Sequence, residues 1–332
     1  MKNKFFITGL VLSILVVGCC HKTDGVPTKT KYSHEVTYAE FDEKLDNIFG
    51  TDVFDGGFSF ITKSKLSIQN NMKLVDENDA KIGNATSKAN YEYSGKYDYN
   101  NDVSFVSTVG TTETNIVLNG EKQSNKDSAN FSRQYQSTGG EEAKTVSVNQ
   151  KAKEVYFLGA YDDNEPASQP VKVLALPILF FAFGTMNFGS KTPEEKAKWK
   201  FYIDSGVYTA VFTENTSKEK TQYIDGQDVK YADETKQEID LIQIKGKKDG
   251  DKLDYLSVYF EMKSDASTTY VSDYDDDGFV FEAGQTLSQK ATTSIGTKIT
   301  SSNVTLEKID LTGYHIKDVD EESEEHDIFH LN

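Results

Sequence analysis

The chain predicts a mainly β (α+β) fold: an antiparallel, strongly curved sheet or half-barrel with two or three covering helices. Three observations carry this. From about Phe58 to Leu158 apolar residues recur at every second position, as in Leu66/Ile68, Met72/Leu74, Tyr91/Tyr93, Tyr97/Tyr99 and Ile116/Leu118, the period of half-buried strands. Asn119-Gly120 is a two-residue hairpin signal between two such runs, and Asn100-Asn101 and Gly139-Gly140 punctuate others. Helical periods are few and do not alternate with strands, so βαβ units are not expected.

The first nineteen residues read MKNKFFITGLVLSILVVGC. Lys2 and Lys4 precede an apolar stretch, the layout of a secretory signal. Phe5–Gly18 is shorter than the roughly 20 apolar residues of a spanning helix, and Thr8 and Ser13 interrupt it. Val16-Val17-Gly18-Cys19 resembles the lipobox of bacterial lipoproteins. In that family the cysteine receives a diacylglyceryl group and becomes the new N-terminus. The resemblance implies that residues 1–18 are a signal peptide, that Cys19 is lipidated, and that the protein sits on the outer face of a bacterial cell membrane. Cys20 fits less well, because Cys19 would then stand where a small residue belongs. Two or three acyl chains, palmitate among them, suffice for stable anchoring.

Residues 19–35 are polar and lack an apolar period, and are expected to form a flexible tether. A helix follows. Thr37 and Glu40 make a capping box, Val36 can staple to Phe41, and Phe41, Leu45, Ile48 and Phe49 form one stripe before Gly50 stops it. After the first strand run, residues 161–170 read as a loop. Val171–Phe183 (VKVLALPILFFAF) is then the most apolar segment beyond the signal. Its 13 residues are too few to span a membrane. It is either buried core or the wall of a cavity.

Thr192-Pro193-Glu194-Glu195 begins a second helix, on which Trp199 and Ile203 would lie four apart. Strands resume at Val207–Phe212. Asp225-Gly226 marks a turn, and Gln237–Lys245 with Lys252–Lys263 suggests a hairpin. Phe279–Phe281 and Lys298–Ile309 supply later strands. The β-rich domain is thus expected over residues 36–312, with helix-plus-meander halves at 36–160 and 171–312. Residues 313–332 are an acidic tail.

Both cysteines lie at the lipobox, so the folded part has no disulfide, thiol nucleophile or cysteine metal site. The formal charge is −17, and loss of Lys2 and Lys4 makes the mature chain two units more acidic. Such a charge repels nucleic acid and anionic lipid headgroups. Arg133 is the single arginine, so bidentate phosphate or carboxylate clamps are scarce.

Asp273, Asp275 and Asp277 precede Gly278 in the D-x-D-x-D-G pattern of a calcium loop. The twelfth position, which normally supplies a bidentate carboxylate, is Gly284. The segment is either a calcium site or a solvated acidic turn. No other cofactor is suggested. The histidines show no zinc spacing, and G-x-S-x-G, P-loop and G-x-G-x-x-G patterns are absent. Nothing nominates an enzyme.

The order of tether, amphipathic helix, antiparallel sheet, apolar internal segment and further sheet resembles the lipoprotein-carrier (LolA/LppX-like) family over residues 36–310. The resemblance implies a half-open barrel that holds lipid under helical lids. Leu174, Leu176, Ile178, Leu179, Phe180 and Phe183 would then line an apolar cavity. The other readings are a surface-display interaction module without a small ligand and an importer's solute receptor. The lack of βα alternation disfavours the last.

Overall fold

The computed structural model describes residues 25–49, 57–118, 120–138, 144–157, 159–160, 167–168, 171–176, 192–224, 227–249, 252–271, 273–276 and 279–317. The strands in chain order are β1 (Glu35–Val36), β2 (Phe60–Val75), β3 (Lys81–Asp98), β4 (Val103–Leu118), β5 (Glu121–Ser137), β6 (Thr145–Asn149), β7 (Glu154–Phe157), β8 (Gly159–Ala160) and β9 (Ala167–Ser168). They continue with β10 (Trp199–Asp204), β11 (Val207–Ile224), β12 (Gln227–Asp249), β13 (Lys252–Tyr270), β14 (Tyr274–Asp276), β15 (Phe279–Phe281), β16 (Thr286–Ser301) and β17 (His315–Lys317). The helices are α1 (Tyr38–Phe49), α2 (Val171–Leu174) and α3 (Pro193–Lys196).

Thirteen strands form one open sheet in the order β1-β10-β11-β12-β13-β16-β2-β3-β4-β5-β6-β7-β17. All pairs are antiparallel except β17 on β7. The two stretches expected as separate halves are joined by sixteen residues of continuous register between β16 and β2. The edges are β1, of two residues, and β17, of three. Longer edges lie beside them: among the described residues Thr213–Ile224 of β11 and Glu121–Arg133 of β5 have a strand on one side only.

Period-two alternation sorts the sheet into two faces. Phe60 pairs with Tyr97, Leu66 with Tyr91, and Ile68 with Ala89. Val106 pairs with Gly95, Ile242 with Phe260, and Phe260 with Ile295. These residues share the inner face, which carries the main core along with Trp199, Phe201, Leu256, Val258 and Ile299.

The helices cover that face crosswise. α1 precedes β2–β7 in sequence but packs on β10–β12, with the Phe41 ring 4.9 Å from Phe201 and 6.1 Å from Tyr208. Phe41 is 1% exposed, and burial of such a ring is worth about 1.5–3 kcal/mol. α2 precedes β10–β16 but packs on β3–β5, where Ser104 Oγ donates to the Val171 carbonyl at 2.5 Å. Each half therefore supplies the cover for the other.

Local signals explain the ends. Thr37 Oγ1 accepts from the Glu40 amide at 3.2 Å, while the Glu40 carboxylate turns to Lys44 rather than completing the expected box. Thr192 makes both halves of its capping box with Glu195. That helix lasts one turn, and Trp199 and Ile203 lie on β10, not on a helix. The four-residue spacing fits a strand face as well, and Phe201 between them completes a period of two. β4 and β5 pair up to Leu118 and Glu121, and Gly120 between them is at φ 84°, in the left-handed region a tight hairpin turn uses; Asn119 lies outside the described residues.

The outer face carries two straps. Residues 25–35, expected as a flexible tether, cross it from β16 to β10; residues 19–24 lie outside the described residues. Gly296 on β16 makes room for this crossing: a Cβ there would fall 2.3 Å from the Pro27 carbonyl oxygen. Lys29 Nζ lies 2.7 Å from Glu261 on β13. Thr30 is held by Gln243 on β12, and the Ser33 amide donates to Asp204 on β10 at 2.9 Å. Polar composition without periodicity conceals such a segment, because it is held largely through its own backbone amides and carbonyls, bound by side chains of the sheet.

The second strap, residues 302–314, replaces most of the strand expected at Lys298–Ile309. β16 ends at Ser301, and the chain then crosses the outer face of β3–β7. Asp98, 1% exposed, accepts from the Leu306 amide at 2.8 Å. Ile309, Leu311 and Tyr314 pack on Val146, Val148 and Val155 in a small second core. The first residues assigned to the acidic tail become β17; residues 318–332 lie outside the described residues.

Candidate functional site

The inner face divides into bands along the strands. One end is the aromatic core under α2, where Tyr93, Tyr97 and Tyr135 are buried with Val171, Ala175 and Leu176. Burial pushes the Tyr93 and Tyr97 hydroxyls far above the usual tyrosine range and Tyr135 up to about 12, so all three stay neutral. Gly95 lets the α2 segment approach: a Cβ there would lie 2.5 Å from the Ala175 carbonyl oxygen.

The floor beyond the core is made of small residues. Gly83, Ala85, Ser87 and Ala89 alternate along β3, and all four are buried. Ala85 faces Met72 and Ile116, and Gly83 faces Leu74 and Leu118. With Leu287 these side chains line an apolar dimple with about 20 Å³ of enclosed space, room for about one water.

Between the two apolar bands runs a polar rung. Ala291, Asn70, Ser87 and Thr114 stand side by side in register across β16, β2, β3 and β4. Ser87 is 1% exposed. Its Oγ and the buried Oδ1 of neighbouring Asn70 have no hydrogen-bond partner among the described residues. A buried polar atom left unpaired costs about 1–3 kcal/mol. Ser87 can donate or accept, and the Asn70 carbonyl accepts.

Two of the six residues expected to wall an apolar cavity fall among the described residues. Leu176 is buried in the main core at 8% exposure beside Ala175. Leu174 ends α2. Ile178, Leu179, Phe180 and Phe183 lie outside the described residues, as does Cys19. Asn70, Ser87 and Thr114 were not singled out by sequence, because isolated Ser, Thr and Asn in a strand read as its solvent face. The signal was the alternation Gly83, Ala85, Ser87, Ala89 against Asn84, Thr86, Lys88, Asn90: small residues on one face and longer polar ones on the other.

The calcium motif folds as a hairpin. Asp275 pairs with Val280, and Asp276 with Phe279, in β14–β15. Asp273 Oδ1 accepts from the Ala283 amide at 2.8 Å, so this carboxylate is spent on the loop. Asp277 lies outside the described residues. Among the described residues no group of three or more His, Cys, Asp or Glu side chains could hold a metal ion.

A second depression lies at the opposite strand ends. It is an open cleft of about 530 Å³ between Phe58, Ser59, Tyr99, Asn100 and Ser301–Thr305. Tyr99 is 52% exposed there, and its amide donates to Ser59 Oγ at 2.9 Å. The lining is neutral: hydroxyls, carboxamides and two aromatic rings. Among the described residues no helix is long and apolar enough to cross a membrane.

No family model and no curated protein matches the chain. Among solved structures it is similar to the outer membrane protease OmpT from Escherichia coli, at 6% identity over 74% of this chain and 97% of that one, with a TM-score of 0.24. It is also similar to the translocator domain of the autotransporter NalP from Neisseria meningitidis, at 7% identity over 80% of this chain and 96% of that one, with a TM-score of 0.21. At these identities and scores nothing is transferred from either protein to this chain.

Proposed function

We propose that the chain is an extracytoplasmic protein, lipid-anchored through Cys19, that binds an apolar molecule carrying a hydrogen-bonding group on its inner sheet face. The Asn70–Ser87 pair carries this reading. Two unpartnered polar atoms stand in register on a floor of small residues, with apolar surface on both sides. Both atoms are buried, so a ligand reaches them as neighbouring side chains give way, finding a hydroxyl and a carboxamide for one polar group and Met72, Leu74, Ile116, Leu118 and Leu287 for an apolar body. The small enclosed space means that an acyl or similar chain would lie along the floor between strands rather than in a sealed chamber.

The alternative reading is a surface-interaction module. It is favoured by the neutral cleft around Tyr99, whose exposed ring and ring of hydroxyls and amides suit an uncharged, hydroxyl-rich partner.

Native mass spectrometry on the chain beginning at Cys20, incubated with a bacterial lipid extract, separates the two. The inner-face reading expects a stoichiometric adduct that survives Tyr99→Ala and is lost in Ser87→Leu, which fills the rung. A clean mass in the presence of lipid overturns it and moves the function to the Tyr99 cleft.

A further inference from the structure

The position of the first strap carries a second conclusion, which rests on lipidation of Cys19. Gly25 sits on β16, 3.7 Å from Lys298 Nζ measured from the position of a built Cβ, and the strap then advances away from β2 toward β10. Six residue steps separate Cys19 from Gly25, so the lipid and this point are never more than about 20 Å apart. The tether therefore limits how far this part of the domain can stand from the anchor. The outer face around Lys298 stays beside the bilayer.

That same place carries a group of lysines in an acidic protein. Lys298 pairs in register with Lys63, and Lys96 lies on the next strand of the same face. Like charges placed directly opposite one another are unfavourable in a sheet. Among the described residues Lys63, Lys96 and Lys298 have no carboxylate partner; Lys298 rests over the Tyr255 ring at 5.7 Å. The acids nearby are engaged: Glu92 with Lys65 at 3.3 Å, and Glu261 with Lys29 and Lys263 at 2.7 and 3.0 Å. With a chain charge of −17, an anionic surface repels the molecule as a whole, and these unpaired lysines beside the tether are where attraction is available.

We propose that the outer face of β16–β2–β3, through Lys63, Lys96 and Lys298, lies on anionic lipid headgroups and fixes the orientation of the domain. The inner face, with the Asn70–Ser87 rung, then points away from the bilayer.

The test uses the full lipidated chain with Cys20→Ser, reconstituted in phosphatidylcholine vesicles with or without phosphatidylglycerol. A dye is placed at Thr300→Cys, beside the patch, or at Lys126→Cys, on the exposed far end of β5. Energy transfer to a headgroup acceptor is measured. Transfer from position 300 should exceed that from 126, rise with phosphatidylglycerol and fall with salt. The triple variant Lys63→Glu, Lys96→Glu, Lys298→Glu should shift the contact equilibrium by at least about 100-fold, at roughly fivefold per lysine. The salt titration needs no variant, so a misfolded triple variant leaves the test intact. Transfer independent of lipid charge and salt in a lipidated chain overturns the orientation alone. A chain whose mass shows no lipid on Cys19 overturns the anchoring and this inference together.

Discussion

Gln243 holds Thr30 as one strand holds another: its Oε1 accepts the Thr30 amide at 2.7 Å, and its Nε2 donates to the Thr30 carbonyl at 2.9 Å. Gln136 repeats the arrangement under the second strap, accepting from the Ile309 amide and donating to its carbonyl, both at 2.9 Å. A carboxamide supplies one donor and one acceptor with peptide geometry. It can therefore extend the sheet's hydrogen bonding perpendicular to the sheet.

Gln243→Ala should cost about 1–3 kcal/mol, since it strands an amide and a carbonyl. Hydrogen exchange at residues 28–32 should quicken while β12 and β13 stay protected. Gln243→Glu should also release the strap at neutral pH, because a carboxylate cannot donate to the Thr30 carbonyl. Unchanged exchange in both variants would show that Thr30 is held by something else.

The straps should loosen in acid. Burial pushes Asp98 up, but hydrogen bonds from the Leu306 amide and from Asn100 and Asn101 outweigh it and hold its carboxyl below the ordinary value. Amides of Ser33 and His34 lower Asp204. Glu261 is raised by burial but brought lower on balance by Lys29 and Lys263. A depressed carboxyl stabilises fully above its unfolded value, near 4, and loses that contribution as pH falls through the folded one. Strap protection measured by exchange should hold from neutrality to about pH 5 and fall away below about pH 4. Loss beginning near pH 6 would point to histidine instead.

Gly95→Ala tests how α2 is seated. The added methyl meets the Ala175 carbonyl at 2.5 Å, and overpacking of this kind costs about 1–3 kcal/mol. The denaturant midpoint should drop without a change in slope. Leu176→Asp should do more damage, about 3 kcal/mol or beyond, because it buries an unpaired charge in the main core. Retention of full stability by Leu176→Asp would favour a cavity wall over core for that residue.

Ser87→Ala should separate stability from binding. Removing a buried hydroxyl that has no partner should leave thermal stability unchanged or raise it by up to about 1 kcal/mol. Affinity for the adduct seen by native mass spectrometry should fall. Equal affinity in Ser87→Ala and the parent would remove the rung from the site.

The strands and their facing residues were legible because burial on one side leaves a period of two. Leu66, Ile68, Met72, Leu74, Tyr91, Tyr93, Tyr97, Ile116 and Leu118 all fall on the inner face in register; Tyr99 leaves it for the turn. The continuation of β12 back to Gln227 and of β13 on to Tyr270 was not legible. Polar runs such as Asp228–Thr235 carry little apolar periodicity, and there the register with β11 and β13 extends the strand.

Sequence alone determined the sheet's class, the capped helix starts and the hairpin turns, because these depend on neighbours within a few residues. Tertiary structure decided that the N-terminal segment is a strap, that α1 and α2 each cover the other half's strands, and that Asn70 meets Ser87. Those outcomes join residues separated by 17 to 213 positions. Local propensity cannot encode such pairings. They follow from which backbone groups and apolar faces remain unsatisfied once the long strands have found their register.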